Sequence, residues 1–74
     1  MEEKILSILE DINEDIISYD GDDMYTEGII SSMDVIEIIS ELEAEFDIEI
    51  DAMYADAEYF ANKESIIELV KGLM

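Results

Sequence analysis

The residues with the clearest chemical potential are two adjacent hydroxyls, Ser31 and Ser32, in the segment GIISSMDV. The chain has no cysteine and no histidine, so a thiolate, the usual proton shuttle and the common zinc ligands are all missing. A serine becomes a good nucleophile when a neighbouring base removes its proton, and no such base is evident here. Covalent modification of either serine would therefore have to be carried out by a separate enzyme.

The local pattern predicts where these hydroxyls lie. Ser31 fits the N-cap of a helix, with Asp34 three residues later as an acidic variant of the capping box. Ser32 then becomes the first helical residue, where unpaired backbone N–H groups favour a phosphate. A phosphoester on Ser32 would be well placed, although capping alone also explains a serine at such a position.

Two amphipathic helices are expected, one before and one after a loop that leads to these serines. The first runs from Glu2 to Ser18, and its apolar stripe has spacings of 4, 3 and 4. A loop of about a dozen residues follows between Tyr19 and Ile30, marked by glycine among aspartates. The second helix runs to about Phe46 with the same spacing. The stripe residues are Ile5, Leu9, Ile12 and Ile16 in the first helix and Val35, Ile39, Leu42 and Phe46 in the second.

The remainder of the chain predicts a connector, a short helix and a final helix. Residues 46–51, FDIEID, are expected to form an extended connector because no second strand is available to pair with them. One or two helical turns should follow, and Asn62 fits the N-cap of the last helix. The short turns are expected to carry Met53, Tyr54, Tyr59 and Phe60 inward, and the last helix to bury Ile66, Val70 and Leu73.

Composition supports an all-α fold, a small antiparallel bundle of three long helices and one short one. The chain has no proline and only three glycines, and half of its 74 residues are hydrophobic. This length predicts a single domain over residues 1–74 and leaves little room for an enzyme's deep pocket. No apolar run approaches the roughly 18 residues of a membrane span.

Charge restricts the possible partners. Twenty-two acidic residues against three basic ones give a net charge of −19, which repels nucleic acids and anionic membranes and favours basic proteins. Charge can also serve solubility alone. Four acidic residues of the second helix recur at spacings of 3, 4 and 4 and form an acidic ridge, which could equally be an ordinary solvated face. The ridge consists of Asp34, Glu37, Glu41 and Glu45.

The segment EGIISSMDVIEIISELEAEFDIEI resembles the modification segment of acyl and peptidyl carrier proteins. The tail, from Asp51 through Phe60 to Val70, is most similar to D-alanyl carrier proteins and related aminoacyl carriers. The resemblance implies a 4'-phosphopantetheine arm attached to Ser32, and Met33 directly after it favours Ser32 over Ser31. The family usually has aspartate before the modified serine, so Ser31 is a departure that removes a negative charge.

The resemblance also implies what the chain does and which proteins it meets. It would be a carrier rather than an enzyme, a cytoplasmic monomer whose arm holds an acyl or aminoacyl group as a thioester. Its partners would be a phosphopantetheinyl transferase and loading and accepting enzymes with basic surfaces. Met33 and the acidic ridge would contact them. Candidates for a groove near the arm are Ile30, Met33, Tyr54 and Tyr59, each of which could also be plain core.

The sequence also allows two other interpretations. Residues 11–16, DINEDI, have the Asp, Asn, Asp spacing that opens an EF-hand loop, but Ile16 stands where glycine is needed and Asp22 where glutamate is needed. No specific metal site is therefore expected. The alternative from another functional class is an acidic helical module that binds a basic partner without any prosthetic group.

Overall fold

The computed structural model describes residues 2–74 and shows a small helical bundle. Within this range no residue lies in a strand. Three helices are long and two elements are short, in an order that follows the predicted layout except for an additional short helix after the first long one. The elements are α1 (Glu2–Ile12), α2 (Asp15–Ser18), α3 (Ser32–Phe46), a single 3₁₀ turn (Ala52–Tyr54) and α4 (Lys63–Leu73).

The prediction of one continuous helix from Glu2 to Ser18 is wrong, because the helix breaks at Asn13. The Asn13 side chain accepts a hydrogen bond from the N–H of Asp15 at 3.0 Å and donates one to the carbonyl of Ile29 at 3.1 Å. Asparagine side chains compete in this way with the helical backbone. Ile16 nevertheless remains fully buried, so the predicted apolar stripe continues across the break.

Helix α3 begins and ends as its terminal residues dictate. Ser31 Oγ accepts from the N–H of Asp34 at 3.3 Å, and Asp34 Oδ2 accepts from the N–H of Ser31 at 3.0 Å. This reciprocal pair confirms the predicted capping box. At the other end Asp47 adopts the left-handed conformation, with φ 53° and ψ 49°, which stops the helix. Residues 48–51 then run without regular structure, as expected for a connector.

The short turn lies where it was predicted, but one of its side chains points the other way. The carboxylate of Asp51 caps the 3₁₀ turn by accepting from the N–H of Met53 at 3.0 Å. Met53 was expected to point inward and is 68% exposed. A single turn of three residues presents only one side to the core, and the half-buried Tyr54 occupies it.

All the long helices contribute to one core, with α1 in contact with both α3 and α4. The predicted N-cap at Asn62 is confirmed: it forms a second capping box with Ser65. The segments between helices also contribute buried residues. The side chains that are fully buried are Ile5, Leu9, Ile16, Met24, Val35, Ile38, Leu42, Phe60, Ile66 and Val70.

Two exposed ion pairs connect α1 to its neighbours. Lys4 Nζ lies 3.3 Å from a Glu45 carboxylate oxygen on α3, and Lys71 Nζ on α4 lies 2.6 Å from Glu2. The hydrogen bond from Lys71 lowers the pKa of the Glu2 carboxyl. Exposed pairs of this kind contribute little to stability, so packing of the apolar stripes holds the bundle together. No helix within residues 2–74 has the length and hydropathy needed to cross a membrane.

The N-cap of α3 can be tested by removing one hydroxyl. We expect Ser31→Ala to lower the free energy of unfolding by about 1 kcal/mol, because the N–H of Asp34 loses its acceptor. Ser31→Asp should retain most of the stability, since its carboxylate can accept the same hydrogen bond. Urea denaturation followed by circular dichroism measures both.

Ser40→Ala is the matched control, because Ser40 is exposed in the middle of the same helix. Alanine is a better helix former than serine, so this control should be neutral or slightly stabilising. An equal loss of stability in the two alanine variants would contradict a capping role for Ser31.

Candidate functional site

The two serines lie at the surface where α3 begins. Ser32 is the first residue of the helix, and Ser31, Ser32 and Met33 are all exposed. The N–H groups of a helix's first turn have no carbonyl one turn earlier to accept from them. The N–H of Asp34 donates to the Ser31 hydroxyl oxygen, so this hydroxyl already takes part in the cap. The Ser32 hydroxyl is the one presented to solvent without a structural role in the cap.

The loop that leads to Ser32 is held from inside by Met24. This side chain is fully buried, and its N–H donates to the carbonyl of Ala61 at 2.7 Å. The Met24 carbonyl in turn accepts from the N–H of Ile29 at 2.9 Å. Gly28 has φ +83°, a left-handed conformation that favours glycine, and it turns the chain toward α3. Sequence reasoning missed Met24 as a core residue, although a lone methionine among aspartates and glycine was a usable signal.

A hydrogen-bonded network around Tyr19 orders the outer part of the same loop. The Tyr19 hydroxyl donates to Glu27 Oε2 at 2.5 Å and accepts from the N–H of Asp23 at 2.8 Å. Burial raises the pKa of Tyr19, and the hydrogen bond to Glu27 raises it further. A Cβ atom at Gly21 would come too close to the Tyr19 hydroxyl, so a larger residue there would have to displace this side chain from its hydrogen bonds.

Residues at the start of α4 hold the other side of the loop. Asn62 Nδ2 donates to the carbonyl of Gly21 at 3.5 Å, and Lys63 Nζ donates to the carbonyl of Tyr19 at 3.4 Å. Together with the contact from Asn13 to Ile29, these bonds attach the loop to both α1 and α4. The start of α3 is therefore positioned by contacts from several parts of the chain.

The members of the acidic ridge do not have equal access to a partner. Glu37 and Glu41 are exposed, whereas Asp34 is half-buried and its carboxylate is engaged in the capping box. Glu45 is exposed but pairs with Lys4. Glu37 and Glu41 are therefore the ridge members most available to an external cation.

An apolar strip lies beside the ridge on the same exposed side of α3. Met33 is 75% exposed and Ile36, one turn further along, is 62% exposed. The sequence prediction included Met33 as a partner contact but did not include Ile36. Ile36 directly follows the buried Val35, and neighbouring residues of a helix are rotated by about 100° from each other. The period of the helix was the signal that could have identified it.

The four residues proposed for a groove near an arm do not form one lining. Ile30 is 3% exposed and belongs to the core, while Met33 stands in solvent. Tyr54 and Tyr59 line a cavity with residues of α4, and its lining includes neither Ile30 nor Met33.

The residues at the start of α3 fit a phosphodiester linkage. The Ser32 side chain is exposed, so an external enzyme can reach its oxygen. The positive end of the α3 dipole favours an anion at this residue. The nearest carboxylate in sequence, Asp34, is turned toward the N–H of Ser31 by the capping box.

The loop gives a prediction about pH. Asp23 Oδ1 accepts from the N–H of Thr26 at 2.9 Å, and this hydrogen bond lowers the pKa of Asp23 below its ordinary value of 3.8. Because the folded pKa is depressed, the contact stabilises the loop above pH 3.8 and is lost as pH falls through the lower folded value. We expect the Thr26 amide resonance to titrate with a midpoint below pH 3.8 in an NMR titration.

Asp23→Asn is the control, since its amide oxygen can still accept from Thr26 but does not titrate. The acid shift of the Thr26 resonance should disappear in this variant. A midpoint above 3.8 in the unsubstituted chain would contradict the hydrogen bond.

Comparison with known proteins gives one relative that spans nearly the whole chain. No protein-family model matches the sequence. A D-alanyl carrier protein from Listeria innocua serovar 6a is 29% identical over 73 residues, covering 96% of this chain and 94% of the relative. The match supports a resemblance over the full helical bundle rather than at an isolated motif. The chain is thus similar from end to end to a D-alanyl carrier protein, which confirms the carrier-protein resemblance read from its sequence.

Proposed function

We propose that this chain is a single carrier domain, residues 1–74, that bears a 4'-phosphopantetheine arm on Ser32. The observation that carries the proposal is an exposed serine as the first residue of α3, in a chain similar to a D-alanyl carrier protein. The arm's terminal thiol would supply the reactive group that the polypeptide lacks and would hold an acyl or aminoacyl group as a thioester.

The chain's own residues present the attachment point and do not perform the attachment. Ser31 and Asp34 define the start of α3, and the anchored loop limits how far Ser32 can move. The free N–H groups of the first turn favour the charge of the linkage. No histidine occurs in the chain to remove the Ser32 proton, so a phosphopantetheinyl transferase would provide the base. The chain is in this proposal a substrate of enzymes rather than an enzyme.

The exposed side of α3 would serve as the contact surface for basic partners. Glu37 and Glu41 offer charge, and Met33 and Ile36 offer apolar area beside it. Contacts made mainly by exposed charges form quickly, weaken with salt and separate easily. These properties suit a cytoplasmic monomer that passes cargo between a loading enzyme and an accepting enzyme.

An aminoacyl group is the cargo class that the comparison supports best. The relative is named as a carrier of D-alanyl groups, and it matches this chain through the segment after α3 as well as around Ser32. Incubation of the arm-bearing protein with purified adenylating enzymes and radiolabelled amino acids or fatty acids would distinguish the two classes.

Modification of Ser32 is directly testable by intact-protein mass. Treatment with a phosphopantetheinyl transferase and coenzyme A should add the mass of one phosphopantetheine group to the unsubstituted chain. Ser32→Ala should gain nothing because the attacking oxygen is missing. Ser31→Ala, which removes the neighbouring hydroxyl, should still be modified.

Each result bears on a different part of the proposal. Modification of Ser32→Ala but not of Ser31→Ala would move the attachment point to Ser31. No mass gain with several transferases would reject the prosthetic group and favour a protein-interaction module. Circular dichroism would check that both variants are folded, which is expected because both substitutions are at exposed residues.

The role of the acidic ridge is testable with the same transferase. We expect Glu37→Gln/Glu41→Gln to raise KM about tenfold at low salt with little change in kcat, because the pair acts in encounter and binding. The difference should shrink as the salt concentration rises.

Glu10→Gln is a matched control, since Glu10 is an exposed glutamate on α1. It should change KM by less than about twofold, as the effect of a single exposed charge outside the ridge is largely screened. Equal effects of these substitutions would show that overall charge, and not the ridge, governs binding.

A further inference from the structure

A cavity of about 420 Å³ lies between α4 and the segment that precedes this helix. The spacing of the α4 residues that line it alternates between three and one, which places them on one side of the helix. These residues are Ser65, Glu68, Leu69, Gly72 and Leu73. Leu69 is nearly buried, Leu73 is half-buried and Glu68 is exposed. This volume falls within the range of roughly 300–1,000 Å³ that is usual for small ligand sites.

The opposite wall is aromatic and acidic. The rings of Tyr54 and Tyr59 meet edge to face, with centroids 4.9 Å apart and planes at 88°. Both tyrosines are half-buried, and Glu58, which also lines the cavity, is exposed. The cavity therefore has an aliphatic and aromatic interior with the carboxylates of Glu58 and Glu68 on its solvent side.

No cation within residues 2–74 neutralises these two carboxylates. The chain has three basic residues, all lysines, and each amino group has a partner elsewhere. Lys4 pairs with Glu45, Lys71 with Glu2, and Lys63 donates to the carbonyl of Tyr19. The cavity thus combines apolar walls with unpaired negative charge.

Gly72 leaves this cavity open. It lies in the last turn of α4, and a Cβ atom built there would have no atom within 4 Å. Glycine weakens a helix relative to alanine, and neither a positive φ nor a close neighbour requires it at this position. A Cβ atom at residue 72 meets no neighbour, and a longer side chain would extend from a residue that lines the cavity.

We propose that this cavity accepts an arginine side chain of a partner protein. The aliphatic part of arginine would pack on Leu69 and Leu73, and its planar guanidinium would stack on the face of one of the two tyrosine rings. Glu58 and Glu68 would accept hydrogen bonds from its N–H groups. An ammonium is more strongly hydrated and stacks less well, and an apolar side chain would leave both carboxylates unpaired.

This inference is independent of the modification of Ser32, and its test uses the unmodified chain. The tripeptide acetyl-Gly-Arg-Gly-amide is titrated into the protein at 0.15 M salt, and the ring resonances of Tyr54 and Tyr59 are followed by NMR. A citrulline peptide has nearly the same shape without the charge, and a norleucine peptide tests an apolar occupant. We expect the arginine peptide to move both ring signals and to bind at least about fivefold more tightly than either of the others.

Variants locate the binding. Glu58→Gln/Glu68→Gln should weaken the arginine peptide about tenfold, and Gly72→Leu should reduce binding at least as much by filling the cavity. Glu64→Gln is the matched control, because Glu64 is an exposed glutamate on α4 outside the lining. It should change affinity by less than about twofold.

Several outcomes would overturn the proposal. Equal affinity for the citrulline or norleucine peptide would reject arginine as the occupant. Unmoved tyrosine signals with shifts spread over α1 and α3 would show general attraction to an acidic surface. Undiminished binding by Gly72→Leu would place the peptide elsewhere. If that variant fails to fold, the glutamine pair decides, because it changes only two exposed side chains.

Discussion

The capping box at the start of α3 is the interaction on which the candidate site depends. Ser31 and Asp34 exchange two hydrogen bonds and so define which residue is the first of the helix. Ser32 is thereby exposed at the positive end of the helix while its neighbour's hydroxyl is engaged. The two serines are adjacent and chemically identical, but the cap gives them different roles. An aspartate at residue 31 could accept the same hydrogen bond from the N–H of Asp34, so serine and aspartate can serve equally as this cap.

The loop before α3 shows how a small protein can hold a surface residue in place. Its inner part is attached through the buried Met24, and its outer part through the hydroxyl of Tyr19. Asn13 and Asn62 bind it from α1 and α4. Asn13 has two effects, because the same side chain breaks the first helix and binds the carbonyl of Ile29. The break between α1 and α2 is therefore coupled to the placement of the loop.

The charge of −19 is unevenly compensated over the surface. The two ion pairs lie between helices, and the third lysine binds the loop, so all three lysines serve contacts within the chain. Among residues 2–74, no lysine pairs with Glu37 and Glu41 on α3 or with Glu58 and Glu68 at the α4 cavity. The two surfaces differ in shape: the first is a ridge beside exposed Met33 and Ile36, and the second is a cavity open to solvent. A ridge suits brief contacts with several partners, whereas a cavity selects for a particular side chain.

The sequence by itself determined the helical class, the cap at Ser31, the cap at Asn62 and the exposure of Ser32. Each depends on residues within a few positions of one another, and local hydrogen bonds and helical periodicity are readable from spacing. The break in the predicted helix from Glu2 to Ser18 could not be foreseen from the sequence. It depends partly on the hydrogen bond from the Asn13 side chain to the carbonyl of Ile29, sixteen residues away. The burial of Met24, the outward position of Met53 and the cavity beneath Tyr54 and Tyr59 were likewise decided only by tertiary structure. They depend on which distant elements meet, and the spacing of apolar residues along the chain does not contain that information.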